Sequence, residues 1–397
     1  MQEIEAKFVE SAHDVNVTSQ ATRNSWLVFV AIQAYFFIAL AGVTHKDLLL
    51  QTPIDLPLLQ IKIGLKPFFV FSPLILVLMH FGIMMQHAML GRKLRELDDR
   101  VTRFEGAKLR RTHWVRGQLH TYFFTQAVAG PHASRLLMFF FYLMGWITLV
   151  LGPLILLMDF QVQYLPAHDL YATWAQRLYI AADFGIVLLF SVFAHLPGRG
   201  FLSGLGSYMV RHPSHFLFTV GFWFIGMFFS FFVATIPDEA FDRAVRSIPA
   251  TRVAAPFGVE PARAKRHAFF LTAILFDGEV DYVSGRLSSP FARNLMVTDT
   301  DLTPPVLKDG GVSLNLRRRD LRFATFDRSD LRQADMTGAQ LFGASLRGVD
   351  LTRLKAEQAD FRGADLAGAQ LQGADLRGAL LDEGAVNEVR AQANRTF

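Results

Sequence analysis

The stretch "ADFRGADLAGAQLQGADLRGALL", Ala359–Leu381, returns a large apolar residue every five positions, at Phe361, Leu366, Leu371, Leu376 and Leu381. An alanine stands two places before each of them. Five is neither the 3.6 of an α-helix nor the 2 of a strand, so no single regular element would turn these residues toward one core. The register continues backwards without a break through Ala356, Leu351, Leu346, Leu341, Met336, Leu331, Phe326, Leu321 and Leu316, which makes fourteen central positions. Self-similarity at a fixed period is the mark of a solenoid, whose units bury their apolar sides only by stacking on neighbours.

On these residues the chain resembles the pentapeptide-repeat family, whose unit reads A(D/N)LXX. The resemblance implies a right-handed quadrilateral β-helix with four repeats per coil, coils spaced by roughly 4.8 Å, and two inward residues in every five. Central residues twenty apart then stack in columns, as in Leu316, Met336, Ala356 and Leu376. One unit, "LKAEQ" (Leu354–Gln358), exchanges the large and small residues, and Leu354 is expected to fill the space that Ala356 leaves. The predicted solenoid, residues 313–384, ends in a tail, 385–397, expected to form a short capping helix. Between Leu314 and Glu383 eleven Arg/Lys balance eleven Asp/Glu. Some members of the family mimic DNA, which needs an acidic surface, so mimicry is not expected here and no nucleic-acid partner is read. Arg317, Arg318, Arg319 and Arg322 form a basic cluster with two readings, a docking patch for acidic headgroups or an acidic protein, or an ordinary solvated edge.

The preceding sequence is of another kind. The chain is 51% hydrophobic with a mean hydropathy of +0.27, and its apolar runs concentrate before Ile236. Five runs approach the ~20 residues that cross a bilayer: Trp26–Val43, Phe68–Leu90, Leu136–Met158, Leu178–Leu196 and Phe216–Ile236. They define a helical transmembrane domain, 25–236, after a segment, 1–24, too acidic for a cleavable signal. The loop 92–135 is rich in Arg and Lys, whereas Asp159–Gln176 has neither. By the positive-inside rule the former is cytoplasmic. Counting spans, the N-terminus is cytoplasmic and the repeats emerge on the periplasmic side of a bacterial inner membrane, a count that one misjudged span reverses. Leu94, Leu97, Val101 and Phe104 give that loop an apolar helical stripe, read either as a continuation of the second span or as a subunit-pairing coiled coil. "DLLLQTPIDLPLL" (Asp47–Leu59) and "PLILLMDFQVQYLPAHDLYATW" (Pro153–Trp174) look like membrane regions attached to some bacterial pentapeptide-repeat proteins. The first of these is expected to be extended around Pro53 and Pro57.

Polar residues within the spans are few. His80, Gln86 and His87 on the second span and Asp183 on the fourth are the candidate intramembrane site, either a proton or ion path or a bundle-locking set of hydrogen bonds. Arg177 and His195 are read as helix-end residues reaching for headgroups. The connector, 237–312, is expected to be a β-rich cap, with a hairpin about Asp277–Gly278 in Leu271–Ser284.

There is no cysteine, phosphate-binding glycine loop or HExxH, so an enzyme is the least supported class and no cofactor or metal site is read. Two functional classes remain. One is a membrane protein that presents the solenoid to a protein partner or to another copy of itself. The other is an oligomeric channel or transport-related protein, with Asp183 and the His80/His87 face in a polar path.

Overall fold

A computed structural model describes residues 2–56, 61–105, 114–131, 134–195, 201–211, 213–246, 270–276, 278, 287–303 and 311–387. The chain forms two compact units. The first comprises Met1–Ala41, Val70–Phe160 and Ala175–Met227, and the second Gly42–Phe69, Gln161–Trp174 and Phe228–Phe397.

Helices make the first unit. Helix α1 (Gln2–Ala41) is continuous, so the predicted N-terminal segment 1–24 is the first half of a long helix. Phe8, Ala12, Val15, Ser19 and Thr22 recur at spacings of 3 and 4 and are buried, the stripe by which a helix seats on a neighbour. That neighbour is the far half of α3 (Leu65–Glu105), where Leu94, Leu97 and Val101 are buried. Lys93 donates to the Thr18 hydroxyl (2.9 Å) and Arg100 to the Ser11 hydroxyl (3.1 Å). The apolar stripe therefore continues the α3 helix and packs within the chain; the Phe104 side chain lies outside the described residues.

Between them, Thr44 and Asp47 cap α2 (His45–Leu50) reciprocally, and a hairpin pairs β1 (Ile54–Leu56) with β2 (Ile61–Ile63). Next come α4 (Trp114–Gly117), α5 (Phe123–Ala129) and α6 (Arg135–Trp146). A π-turn at Ile147–Leu151 leads into α7 (Gly152–Tyr164), followed by α8 (Leu170–His195), α9 (Phe201–Arg211) and α10 (Pro213–Phe228), which ends in a second π-turn at Phe229–Val233. Among the described residues three helical stretches, Phe8–Ala41, Leu65–Val101 and Arg135–Ala167, are long and apolar enough to cross a membrane. They expose large apolar side chains such as Phe37, Ile38, Leu78, Leu136 and Phe139, as helices in lipid do.

The second unit holds the repeats. Parallel bridges join each position to the one twenty residues on, from Asn315↔Asp335 to Asp360↔Leu380, so a coil is four repeats. Within a repeat the central carbonyl accepts from the N–H three residues later, as in Ala344 to Leu341 (3.0 Å). The residue two after the centre has positive φ, which is glycine at 338, 343, 348, 363, 368, 373 and 378. A turn with positive φ at its second inner residue favours glycine there. Where the residue before the centre is aspartate it closes the bend, its Oδ1 accepting from the N–H two residues on, as in Asp350 to Thr352 (3.0 Å).

Leu316, Leu321, Phe326, Leu331, Met336, Leu341, Leu346, Leu351 and Leu354 are fully buried, Phe361 and Leu366 nearly so. Leu371, Leu376 and Leu381 in the last coil are half-buried. The solenoid also starts earlier than the repeats predict. Met296 bridges Thr325 and Asp301 bridges Asp330, while Leu295, Val297 and Leu302 are buried beneath the first full coil. Their offset of 29 residues, rather than twenty, hides this half-coil from a search for one register.

The expected hairpin in Leu271–Ser284 is corrected on its first arm, since Phe270–Phe276 (α12), like Ala240–Arg246 (α11) before it, is a helix; positions 277 and 279–286 lie outside the described residues. Phe276 joins Val162, Leu165, Val233, Ala234 and Ile236 in one core, with Leu271 and Leu275 packed against it. Positions 271, 272, 275 and 276 share one helical face, which strand alternation would have split. At the other end a single helical turn, 383–387, is capped by Asp382, whose Oδ1 accepts from Ala385 N–H (2.9 Å) and Oδ2 from Gly363 N–H (2.7 Å).

Candidate functional site

The buried polar groups of the first unit begin with a proline. In an α-helix the Leu149 carbonyl would accept from residue 153, but Pro153 has no N–H. His80, reaching from α3, supplies the missing donor, its Nε2–H meeting Leu149 O at 2.8 Å. The other ring nitrogen, Nδ1, lies 2.5 Å from Asp183 Oδ1 on α8. Both side chains are closed off, 0% and 1% exposed, and Phe29 stacks on the imidazole at 5.6 Å.

The π-turn moves a second carbonyl. Gly152 N–H reaches back to Ile147 O, which frees Thr148 O, and Gln33 Nε2–H takes it at 3.1 Å. A Cβ on Gly152 would fall 2.4 Å from Gln33 Oε1, so glycine is required there by the space it leaves.

The second unit also brings side-chain donors to carbonyls at a helix end. The helical segment ends at Val233, whose carbonyl accepts from Thr235 N–H (3.1 Å) and also from the Thr272 hydroxyl (3.0 Å). Gln161 donates to Ser230 O (2.9 Å) and Ala234 O (3.0 Å) while accepting from the Ser230 hydroxyl (2.6 Å). An unmet backbone carbonyl costs several kcal/mol in hydrocarbon, so a donor from a neighbouring helix is how an interrupted ladder survives there.

The proton inventory limits the chemistry. Leu149 O can only accept, so His80 Nε2 carries a hydrogen. One further proton lies between Nδ1 and the Asp183 carboxyl, and the pair is net neutral wherever that proton sits. His87 is a separate site: its Nδ1–H donates to Ile83 O (2.8 Å) and its Nε2 accepts from the Tyr122 hydroxyl (2.7 Å). Burial raises the Tyr122 phenol above its usual value, which keeps it a donor. Gln86 is half-buried and belongs to neither set. The four residues singled out on the spans therefore divide, with His80 joined to Asp183, His87 to Tyr122, and Gln86 apart.

Arg177 corrects the helix-end expectation. It is wholly buried, because α8 begins at Leu170 and puts it two turns inside the helix. The His195 side chain lies outside the described residues. Among the described residues no three His, Asp or Glu side chains come together as a metal site.

The basic cluster on the first coil also divides. Arg319 is turned onto the end of α2 and donates to Leu48 O and Leu49 O (3.3 Å each), where carbonyls and the helix dipole favour a cation. Arg322 forks onto Asp320 (2.7 and 2.8 Å) and reaches Asp238 (3.1 Å). Burial pushes the Asp320 carboxyl up, but His168 and Arg322 outweigh it and hold its pKa well below the usual carboxylate range. His168 lies 3.3 Å from Asp320 through Nδ1 and donates through Nε2 to Arg293 O (3.0 Å), and Arg293 pairs with the fully buried Asp242 (3.2 Å). Met296 N–H donates to His45 Nδ1 (3.3 Å). Only Arg317 and Arg318 remain exposed. Two of the four arginines thus tie the first coil to the segments that join the helices.

Elsewhere the outer charges pair within a repeat or with a neighbouring coil, as Arg347 does with Asp365. Arg332, Arg362 and Arg377 fork onto Asp330, Asp360 and Asp375, two positions before each. Such exposed pairs add little stability.

The pentapeptide repeats family model (8 copies) matches residues 315–348 and 344–382. No curated protein matches the chain. Among solved structures, HetL, a pentapeptide repeat protein involved in heterocyst differentiation regulation from the cyanobacterium Nostoc sp. Strain PCC 7120, is 27% identical over 22% of this chain and 47% of that one, with a TM-score of 0.15. Rfr23 from the cyanobacterium Cyanothece 51142 is 26% identical over 23% and 64%, with a TM-score of 0.12. A pentapeptide repeat protein from the Arabidopsis thaliana thylakoid lumen is 31% identical over 21% and 57%, with a TM-score of 0.14. The chain spans less than two thirds of each. Residues 315–382, which follow the apolar helices, are a run of pentapeptide repeats.

Proposed function

We propose that this is an integral membrane protein of the bacterial inner membrane, with five spans, that presents a right-handed quadrilateral β-helix as a protein-interaction module and has no enzymatic activity of its own. The observation that carries this reading is the asymmetry of the solenoid's ends. The first coil is bonded to helix-joining segments through Arg319, Arg322, His168 and His45. At the last coil, Leu371, Leu376 and Leu381 are only half-buried and Leu380 is 50% exposed. A solenoid anchored at one end and apolar at the other suits display to a protein partner or a second copy of the chain.

A photo-crosslinking residue at position 380 in native membranes should trap one recurrent protein, while the same residue at the outward position 362 should trap it less. The reading fails if neither position yields an adduct. The pore reading is disfavoured by the closure of His80 and Asp183. Reconstituted vesicles should show background ion flux, and flux abolished by Asp183→Asn would replace the interaction module with the channel.

A further inference from the structure

We propose that the helical unit binds one anionic phospholipid of the surrounding bilayer, with an acyl chain in a cavity between α3, α5, α6 and α8 and the phosphate on Arg95. The cavity is about 460 Å³, within the roughly 300–1,000 Å³ of ordinary small-molecule sites. Phe124, Phe141, Gly145, Val150 and Phe190 contribute to a largely apolar lining, and the exposed Tyr142 and Trp146 bring it to the surface.

The cavity has a direction. Met84, Ala88, Gly91 and Arg95 line it from α3 at helical spacing. The bond from His80 to Leu149 O places Leu149 and Val150 at the Met84 end. The guanidinium therefore stands at one end and hydrocarbon side chains at the other, the polarity of a lipid.

Arg95 is half-buried, and among the described residues its guanidinium has no hydrogen-bond or ion-pair partner. His87 cannot serve a ligand, because both its nitrogens are engaged. An acyl chain alone would leave that cation with only the field of Asp99, one turn along α3, to offset it, whereas a phosphate meets it with two parallel N–H bonds. Arg92 and Lys93 adjoin it on the same helix, and basic residues at the end of an apolar span attract anionic headgroups. A zwitterionic lipid offers weaker charge complementarity, and a second protein copy would need a complementary carboxylate beside an apolar helix.

The full chain in nanodiscs of phosphatidylglycerol and phosphatidylcholine in equal amounts, released and weighed by native mass spectrometry, tests this. Wild type should retain one phosphatidylglycerol. Arg95→Gln should lower that retention about tenfold, near 1.4 kcal/mol, and Arg95→Lys by less. Gly145→Leu, whose Cβ meets only the Phe123 ring at 3.5 Å, should lower retention of either lipid by filling the cavity. On wild type alone, phosphatidylglycerol with a diazirine in its acyl tail should label peptides containing Phe141–Val150. The proposal is overturned if wild type retains both lipids equally, if Arg95→Gln retains as much phosphatidylglycerol as wild type, if the label falls elsewhere, or if a dimer dispersed by Gly145→Leu occupies the site.

Discussion

The solenoid and the helical unit solve the same problem, the pairing of every backbone polar group, with opposite arrangements of side chains. In the solenoid, coil stacks on coil and the main chain satisfies itself across a twenty-residue repeat. Leucines then fill the interior and Asp–Arg pairs stay outside. In the helical unit apolar residues such as Ile38 and Phe139 face outward, and His80, Asp183 and Arg177 are enclosed. There the main chain fails to satisfy itself at Pro153, and an enclosed polar side chain, His80, stands in. Water would serve stray groups on the solenoid's surface, whereas the helical stretches are apolar enough for a membrane, where nothing outside the chain would serve them.

The largest effect should come from breaking a stand-in. His80→Leu leaves the Asp183 carboxyl and the Leu149 carbonyl without their partner and should destabilise the helical unit by about 3–5 kcal/mol, read by unfolding in detergent. His80→Leu with Asp183→Leu should recover part of this and leave about 1–3 kcal/mol for the bare carbonyl. Adding Pro153→Ala restores an N–H at that position and should remove most of the remainder. If Pro153→Ala has no effect in that background, the carbonyl is not what His80 serves.

In the solenoid the corresponding test is volume. Leu351→Ala in the closed interior should cost about 2–5 kcal/mol, and Leu376→Ala in the half-buried last coil clearly less, read by hydrogen exchange across residues 313–384. Equal costs would mean that the last coil is covered. Turn geometry comes next. Gly343→Ala meets both a φ of +67° and the Phe323 ring, 2.8 Å from the added Cβ, whereas Gly368→Ala at φ +71° has nothing nearer than 3.9 Å. The second should cost about 1–2 kcal/mol from the left-handed backbone alone and the first more.

These differences explain what could be read along the chain. A period of five imposes itself on every residue, so Leu316 to Leu381 could be placed without a structure. Leu295, Val297 and Leu302 could not, because the insert after them shifts the offset from twenty to 29 residues. The helical unit shows its apolar faces but not its partners. His80 and Asp183 are 103 residues apart, and nothing local to either says that they meet. One signal was available: each proline in an apolar helix names the carbonyl four residues earlier that needs a donor. Arg319 and Arg322 looked like an open patch because a run of arginines carries no record of what folds against it.

The smallest effect is a pH dependence at the joint between the first coil and the loops. His45 is driven below the ordinary imidazole value by burial, and its Nδ1 must stay unprotonated to accept from Met296 N–H. A histidine lowered on folding contributes stability that is present above its unfolded value, about 6.5, and lost as pH falls through the folded one. Asp320 is also lowered on folding, so its contribution is present above about pH 3.9 and lost with further acid. Both steps weaken the joint in acid, the histidine first. Hydrogen exchange at 295–303 should therefore quicken as pH falls below about 6.5, after correction for the intrinsic rate, by the order of one hydrogen bond, 0.5–1.5 kcal/mol. His45→Gln keeps an acceptor that does not titrate and should flatten the first step while leaving the one at Asp320. An unchanged first step in that variant would assign it to another group.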